Sequence, residues 1–77
     1  MKEIVIDFSH YADIDAFHDD IAEKLDFPDY YGRNLDALHD LVSEQPVGRW
    51  QFLIFYGGTG IPHKQQVMIA KILLGKA

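Results

Sequence analysis

Tyr30 and Tyr31 stand side by side in "FPDYYGRNLDALHD", Phe27 to Asp40, just ahead of carboxylates spaced four apart at Asp36, Asp40 and Glu44. At about 100° per residue, that spacing places the three acids on one face of a helix as a continuous ridge. Like charges at i, i+4 repel by roughly a few tenths of a kcal/mol, so the ridge weakens the helix that carries it. Rigid aromatic rings beside fixed charges are what the centres of protein–protein contact surfaces are made of. The chemistry on offer is cation recognition: carboxylates accept charge-assisted hydrogen bonds from Arg or Lys while phenol rings stack. The plainer alternative is that both rings pack on the core and the carboxylates are only solvated.

Other chemistries find less support. Asp36, His39 and Asp40 can approach one ion at helical spacing, but no second histidine stands at ligand spacing. There is no Ser–His or Cys–His arrangement to make a nucleophile. Asp36 and Asp40 form an acid/base pair in principle, yet an exposed ridge lacks the burial that raises a carboxyl pKa. "GGTGIPHK", Gly57 to Lys64, follows a strand-like run and invites a phosphate-loop reading, with a small phosphate-binding enzyme as its consequence. Pro62 stands where that loop needs its second glycine, and turn chemistry accounts for the glycines. No catalytic residue, cofactor or metal is expected.

The elements that position these residues follow from periodicity. "KEIVIDF" is rich in β-branched residues and predicts a strand over Lys2–Phe8. Asp13 caps a helix that runs to about Leu25, with Ile14, Phe17, Ile21 and Leu25 on one face and Asp15, Asp19 and Glu23 opposite. Phe27-Pro28 ends it. Asn34 caps the second helix, Asp36 sits in its first turn, and Leu35, Leu38, Leu41 and Val42 form its buried stripe. "QPVGR" is the next break. "WQFLIFY", Trp50–Tyr56, predicts a strand apolar enough to be covered on both faces. "GGTG" turns the chain, Pro62 fits a first helical position, and a last helix spans about His63–Leu74. That helix has little polar circumference, so it is either deeply buried or meets another chain. The order strand–helix–helix–strand–helix implies an α/β layer with two parallel strands and a right-handed crossover.

Composition bounds the rest. The 77 residues make one domain, 1–77, of 48% hydrophobic and 13% aromatic content, which favours a folded core. A chain this short buries only about 60% of its unfolded surface. It has no cysteine, which removes disulfides and suits a reducing, cytoplasmic setting. Asp7 interrupts the apolar run in "MKEIVIDFSHYAD", so no signal peptide is expected, and no stretch approaches membrane-spanning length. A net charge of −5 argues against gripping nucleic acid through its phosphates. The charge is also uneven. Ten acids lie between Asp13 and Glu44 against Lys24 and Arg33, and none follows Glu44. One end of the molecule is therefore strongly negative, and a basic partner suits it. A solvated surface that aids solubility is the bland reading.

"LDFPDYYGRNLDALHDLV", Leu25 to Val42, resembles the signature of the barstar family, intracellular inhibitors of barnase-type ribonucleases. Pro28, Asp29, Tyr30, Tyr31, Gly32, Asn34, Leu35, Asp36, Ala37, Leu38 and Asp40 carry the resemblance. The order of elements agrees as well. The resemblance implies an α/β fold of two layers, with three helices on a small parallel sheet. It also implies a non-catalytic protein that plugs a basic ribonuclease cleft with its second helix and the preceding loop. On that basis Asp40 mimics phosphate, Asp36 is a second arginine partner and Tyr30 stacks on the nuclease's catalytic histidine. Asn34 and Gly32 add polar and backbone contacts, with Tyr31, Leu35, His39, Ser43 and Glu44 in the same patch.

Three differences from the family pattern matter. His39 stands where tryptophan is usual, which removes a large contact and adds a group that titrates near neutrality. The last helix carries no acid. The chain ends at Ala77, before the family's third parallel strand, so a two-stranded sheet with Trp50–Tyr56 as an open edge is expected. A homodimer through that edge, or through the last helix, is the natural remedy. The competing functional reading is accordingly a self-assembling module that keeps the framework without the inhibitor role.

Overall fold

The computed structural model describes residues 2–44 and 50–75 of the chain. Strand β1, Lys2–Asp7, leads through a short 3-10 turn, Phe8–His10, into helix α1, Ile14–Leu25. Helix α2, Leu35–Ser43, strand β2, Trp50–Phe55, and helix α3, His63–Leu74, follow. This is the expected β-α-α-β-α order with one added turn. The break expected at "QPVGR" lies outside the described residues.

The two strands pair in parallel, with Lys2 opposite Trp50 and Asp7 opposite Phe55 at the two ends. Alternate residues face alternate sides. Ile4 and Ile6 are buried and, with their in-register partners Phe52 and Ile54, belong to the core. Val5 and Phe55, on the other face, are 43% and 52% exposed. The expectation that β2 is covered on both faces is therefore corrected: the described helices cover one face only. A continuous apolar run signals two-sided burial only when a second layer supplies it. Lys24 also attends to β1, its Nζ donating to the Val5 carbonyl at 2.9 Å.

Strand β1 stops one residue earlier than expected because the Asp7 carboxylate turns to the next segment. It accepts from the Ser9 amide at 3.0 Å and the Ser9 hydroxyl at 2.6 Å, which caps the 3-10 turn. Helix α1 begins as read, with Asp13 accepting from the Ala16 amide at 2.8 Å. It ends at Asp26, which adopts a left-handed conformation, φ 56°, before Phe27-Pro28 comes into play. Such a cap satisfies the last carbonyls of a helix. Pro62, expected at the first helical position, is instead the N-cap of α3.

One core joins all the elements, centred on Ile6, Phe8, Phe17, Ile21, Leu38, Ile61 and Ile69, each 0–1% exposed. Helix α3 gives it Ile69, Ala70 and Leu73, while Met68 and Leu74 stay 44% and 46% exposed. Buried Gln66 holds the glycine loop from inside. Its Nε2 donates to the Gly57 and Ile61 carbonyls, both at 2.9 Å, and its Oε1 accepts from the Gly57 amide at 3.0 Å. Gly60 is required by packing, since a Cβ there would lie 2.4 Å from the carbonyl oxygens of Tyr11 and Ala12. No helix among the described residues is long and apolar enough to cross a membrane.

Candidate functional site

The two adjacent tyrosines part company. Tyr30 is 80% exposed and Tyr31 only 8%. A turn closed by the Tyr31 amide on the Pro28 carbonyl, 3.0 Å, sets them on opposite sides of the chain. The Tyr31 ring packs against Phe27 and His18, with centroids 4.9 and 5.6 Å away. Its hydroxyl lies 2.6 Å from His18 Nδ1, and His18 itself is 2% exposed. Burial pushes the Tyr31 phenol up to about 12. Burial, and then the nearby Arg33 guanidinium, hold the His18 pKa below its ordinary value against the opposing pull of Asp15 and Asp19. Near neutral pH the pair is therefore an uncharged imidazole bonded to an uncharged phenol.

A second tie fixes the other end of the loop. Arg33 sits at positive φ, 55°, which only a minority of non-glycine residues adopt. Its Nη2 reaches back to α1, 2.6 Å from Asp19 Oδ1 and 3.4 Å from the Asp15 carbonyl. Asn34 closes the segment in two directions. Its Nδ2 donates to the Gly32 carbonyl at 3.3 Å, and its Oδ1 accepts from the Ala37 amide at 2.7 Å as the N-cap of α2.

Helix α2 then presents its acids. Leu38 and Leu41 are buried, Leu35 and Val42 half-buried, and Asp36, His39, Asp40, Ser43 and Glu44 exposed. Ser43 is partly spoken for, its hydroxyl donating to the His39 carbonyl at 2.6 Å. The Asp40 side chain is 80% exposed, with His39 Nδ1 3.9 Å away. Among the described residues, no Lys or Arg lies within 4 Å of Asp36, Asp40 or Glu44. Asp36 gains something from the helix dipole, being in the first turn. The other two face solvent at the end of the helix where negative charge is least favoured.

Of the residues expected in a contact patch, Tyr30, Gly32, Asn34, Asp36, His39, Asp40, Ser43 and Glu44 are exposed on the loop and helix, and Leu35 borders them. Tyr31 differs: it faces inward and serves as an anchor. His18, Asp19 and Arg33 shape the site without having been singled out from the sequence. The signal for His18 is its place at i+4 from Ile14 beside Phe17, inside the apolar stripe of α1. Among the described residues no group of three or more His, Asp or Glu is arranged to hold a metal ion. The glycine loop has one of its amides, that of Gly57, already occupied by Gln66, which weakens the phosphate-loop reading.

A family model described as "Barstar (barnase inhibitor)" matches residues 1–70. A Bacillus subtilis (strain 168) protein named "Putative ribonuclease inhibitor YrdF" is 56% identical over 43 residues, covering 56% of this chain and 47% of that relative. The chain thus spans about half the length of the curated relative it matches. No solved structure matches the chain.

Proposed function

The chain belongs to the barstar family, and on that premise we propose that it inhibits a small basic ribonuclease of the barnase type by occluding its active site. The docking surface is the exposed face of α2 together with the loop from Tyr30 to Asn34. A nuclease cleft is lined with cations that hold phosphate, and a carboxylate on a stiff helix takes the same charge-assisted hydrogen bonds. Asp40 occupies the phosphate position, Asp36 binds a second arginine, and the Tyr30 ring stacks on the nuclease histidine. The chain itself does no chemistry; it excludes substrate.

One observation carries this reading. Asp36 and Asp40 are solvent-facing carboxylates with no lysine or arginine within 4 Å among the described residues, on the helix that follows the loop carrying an 80% exposed tyrosine, Tyr30. Charge left unneutralised on a rigid element favours a partner that brings the opposite charge. Titration into barnase-type ribonucleases at low and high salt tests it. Saturating 1:1 inhibition that weakens steeply with salt is expected, since steering between exposed charges is screened over about 8–10 Å. Absence of binding at low salt across a panel of such enzymes sinks it.

A second reading, a self-assembling module on the same framework, draws on Phe55, Tyr56, Met68 and Leu74, each 44–52% exposed. Sedimentation over a wide concentration range decides it: a mass that stays monomeric removes it.

A further inference from the structure

We propose that His18 and Tyr31, assisted by the Arg33–Asp19 ion pair, are positioning residues that hold the Tyr30 loop in its binding-ready form, and that protonation of His18 releases it. This rests on the docking surface proposed above, and it assigns a role to groups that never touch the partner. Among the described residues the backbone of the loop between α1 and α2 is held by short-range hydrogen bonds, from the Phe27 amide to Ala22, from the Tyr31 amide to Pro28 and from Asn34 to Gly32. Two side chains tie it to the body of the fold. The Tyr31 hydroxyl is bonded to His18 at 2.6 Å in the buried interior, and the Arg33 guanidinium is bonded to Asp19 at 2.6 Å on the surface. The ties flank Gly32, and the inner one, at Tyr31, is next in sequence to Tyr30. A contact residue whose neighbour is pinned loses little freedom on binding, whereas one on a loose loop must be ordered by the partner.

The inner tie is conditional. A neutral imidazole can accept from or donate to the phenol without burying charge, whereas a doubly protonated one can only donate, and it then carries a buried charge. The charged groups near His18 are Arg33 from the loop and Asp15 and Asp19 from its own helix; the uncharged Tyr31 phenol and the Phe17 ring complete its surroundings. The acids are on the solvent side of α1, and Asp19 is already engaged by Arg33. A proton on His18 therefore places a buried cation beside the Arg33 guanidinium, and moving the loop outward relieves both the burial and the repulsion.

The free protein and the complex each give a readout. Tyr31→Phe removes one oxygen and keeps the ring, and His18→Gln keeps a hydrogen-bonding side chain that does not titrate. In the free protein, amide exchange at Gly32, Arg33 and Asn34 is expected to quicken in Tyr31→Phe while the core of α1 stays protected. In the wild type the same amides exchange faster than intrinsic rates require as His18 protonates, followed by its ring proton shifts, and His18→Gln abolishes that excess. Against a barnase-type ribonuclease, Tyr31→Phe is expected to weaken binding about threefold to tenfold, the loss of one net hydrogen bond. The ratio of wild-type to His18→Gln dissociation constants should rise as pH falls, which cancels titration of His39 and of the nuclease. Loop exchange unchanged in Tyr31→Phe and in His18→Gln overturns the proposal, as does a pH-independent ratio. Should Tyr31→Phe fold poorly, Asp19→Asn releases the outer tie from the surface and must loosen the same three amides. If no ribonuclease binds, the docking surface fails, and the exchange data on the free protein still judge the latch.

Discussion

Two acidic helices lie next to each other in this chain, and they spend their charge differently. On α1, Asp13 caps the helix, Asp19 is paired with Arg33 and Asp20 with Lys24, and Asp20 also accepts from the Tyr11 hydroxyl. Charge there ties helix, strand and loop together. On α2, Asp36, Asp40 and Glu44 are exposed, and among the described residues the one Lys, Arg or His side-chain nitrogen within 4 Å of their carboxylates is that of His39, beside Asp40. Equal sign and similar spacing thus give a structural helix in one case and an unsatisfied surface in the other. In the proposed reading it is acidity left without a counter-charge, not acidity alone, that marks the docking face.

The most direct way to break that contrast is to remove one acid from each helix. Asp40→Ala is expected to lose about 3–5 kcal/mol of binding to a barnase-type ribonuclease, because it strands cations that the complex buries. Glu23→Ala, on the exposed side of α1, should change binding by less than about 0.5 kcal/mol. Inhibition constants measured side by side check both. Equal losses would mean that the partner reads overall charge, and that α2 is not special.

The same contrast sharpens at the two tyrosines. Tyr30→Ala should cost about 2 kcal/mol of binding, as central aromatic contacts do, with the urea midpoint of the free protein unmoved. Tyr31→Phe should do the reverse, destabilising the fold by about 1–3 kcal/mol because buried His18 Nδ1 is left without its partner, with a smaller effect on binding. If Tyr30→Ala unfolds the protein and Tyr31→Phe does not, the assignment of anchor and contact is inverted.

Much of this was legible in the sequence, and the failures have physical reasons. The i, i+3, i+7 apolar spacing located α1 and α2, and Asp13 and Asn34 announced their starts because a short polar side chain can bond an otherwise orphaned amide. The acidic ridge was legible because helical geometry fixes which residues share a face. His18 was not. It goes unassigned from sequence, although its place in the stripe of Ile14, Phe17 and Ile21 fits burial and a phenol was available to satisfy it. Which of the two tyrosines is buried was not legible either, since nothing in "DYYG" says which ring turns inward until His18 is known to be there. The uncovered face of β2 escaped because apolar runs report composition, not whether a second layer exists. Arg33 occupies a position that looks unconstrained, and its value lies in reaching Asp19, fourteen residues earlier in the sequence.

A milder perturbation is pH. The folded-state pKa of His18 is lowered from 6.5, chiefly by burial, so as pH falls the unfolded chain takes up the proton first. Stability is then full above about 6.5 and declines as pH drops toward the depressed folded value, the slope following from the extra proton bound by the unfolded state. Urea midpoints at several pH values should show this decline in the wild type and a flatter profile in His18→Gln between the two pKa values. A wild-type profile that rises toward acid in that window would mean that His18 is stabilised as the cation, and that the charge-neutral pair with Tyr31 is wrong.

The smallest expected effect is at Asp20. It bridges Lys24 at 2.9 Å and accepts from the Tyr11 hydroxyl, so it has more partners than any acid of α2. Both members of the ion pair are about one-third exposed, 31% and 37%, and such pairs contribute roughly 0.2–1 kcal/mol. Asp20→Asn keeps an oxygen to accept from Tyr11 and removes only the charge, so the urea-derived stability should fall by less than about 1 kcal/mol. The small size is itself the point. On α1 Asp19 and Asp20 have their counter-charges inside the fold, and deleting the Asp20 charge leaves a lysine free to return to water. In the proposed docking the counter-charge of α2 comes from the partner, so the free protein should gain slightly from Asp40→Ala, through relief of repulsion along the ridge, while binding is lost. Asp40→Ala that leaves stability unchanged or raised, set beside Asp20→Asn that lowers it a little and leaves inhibition intact, is the pair of signs that the two-helix contrast requires.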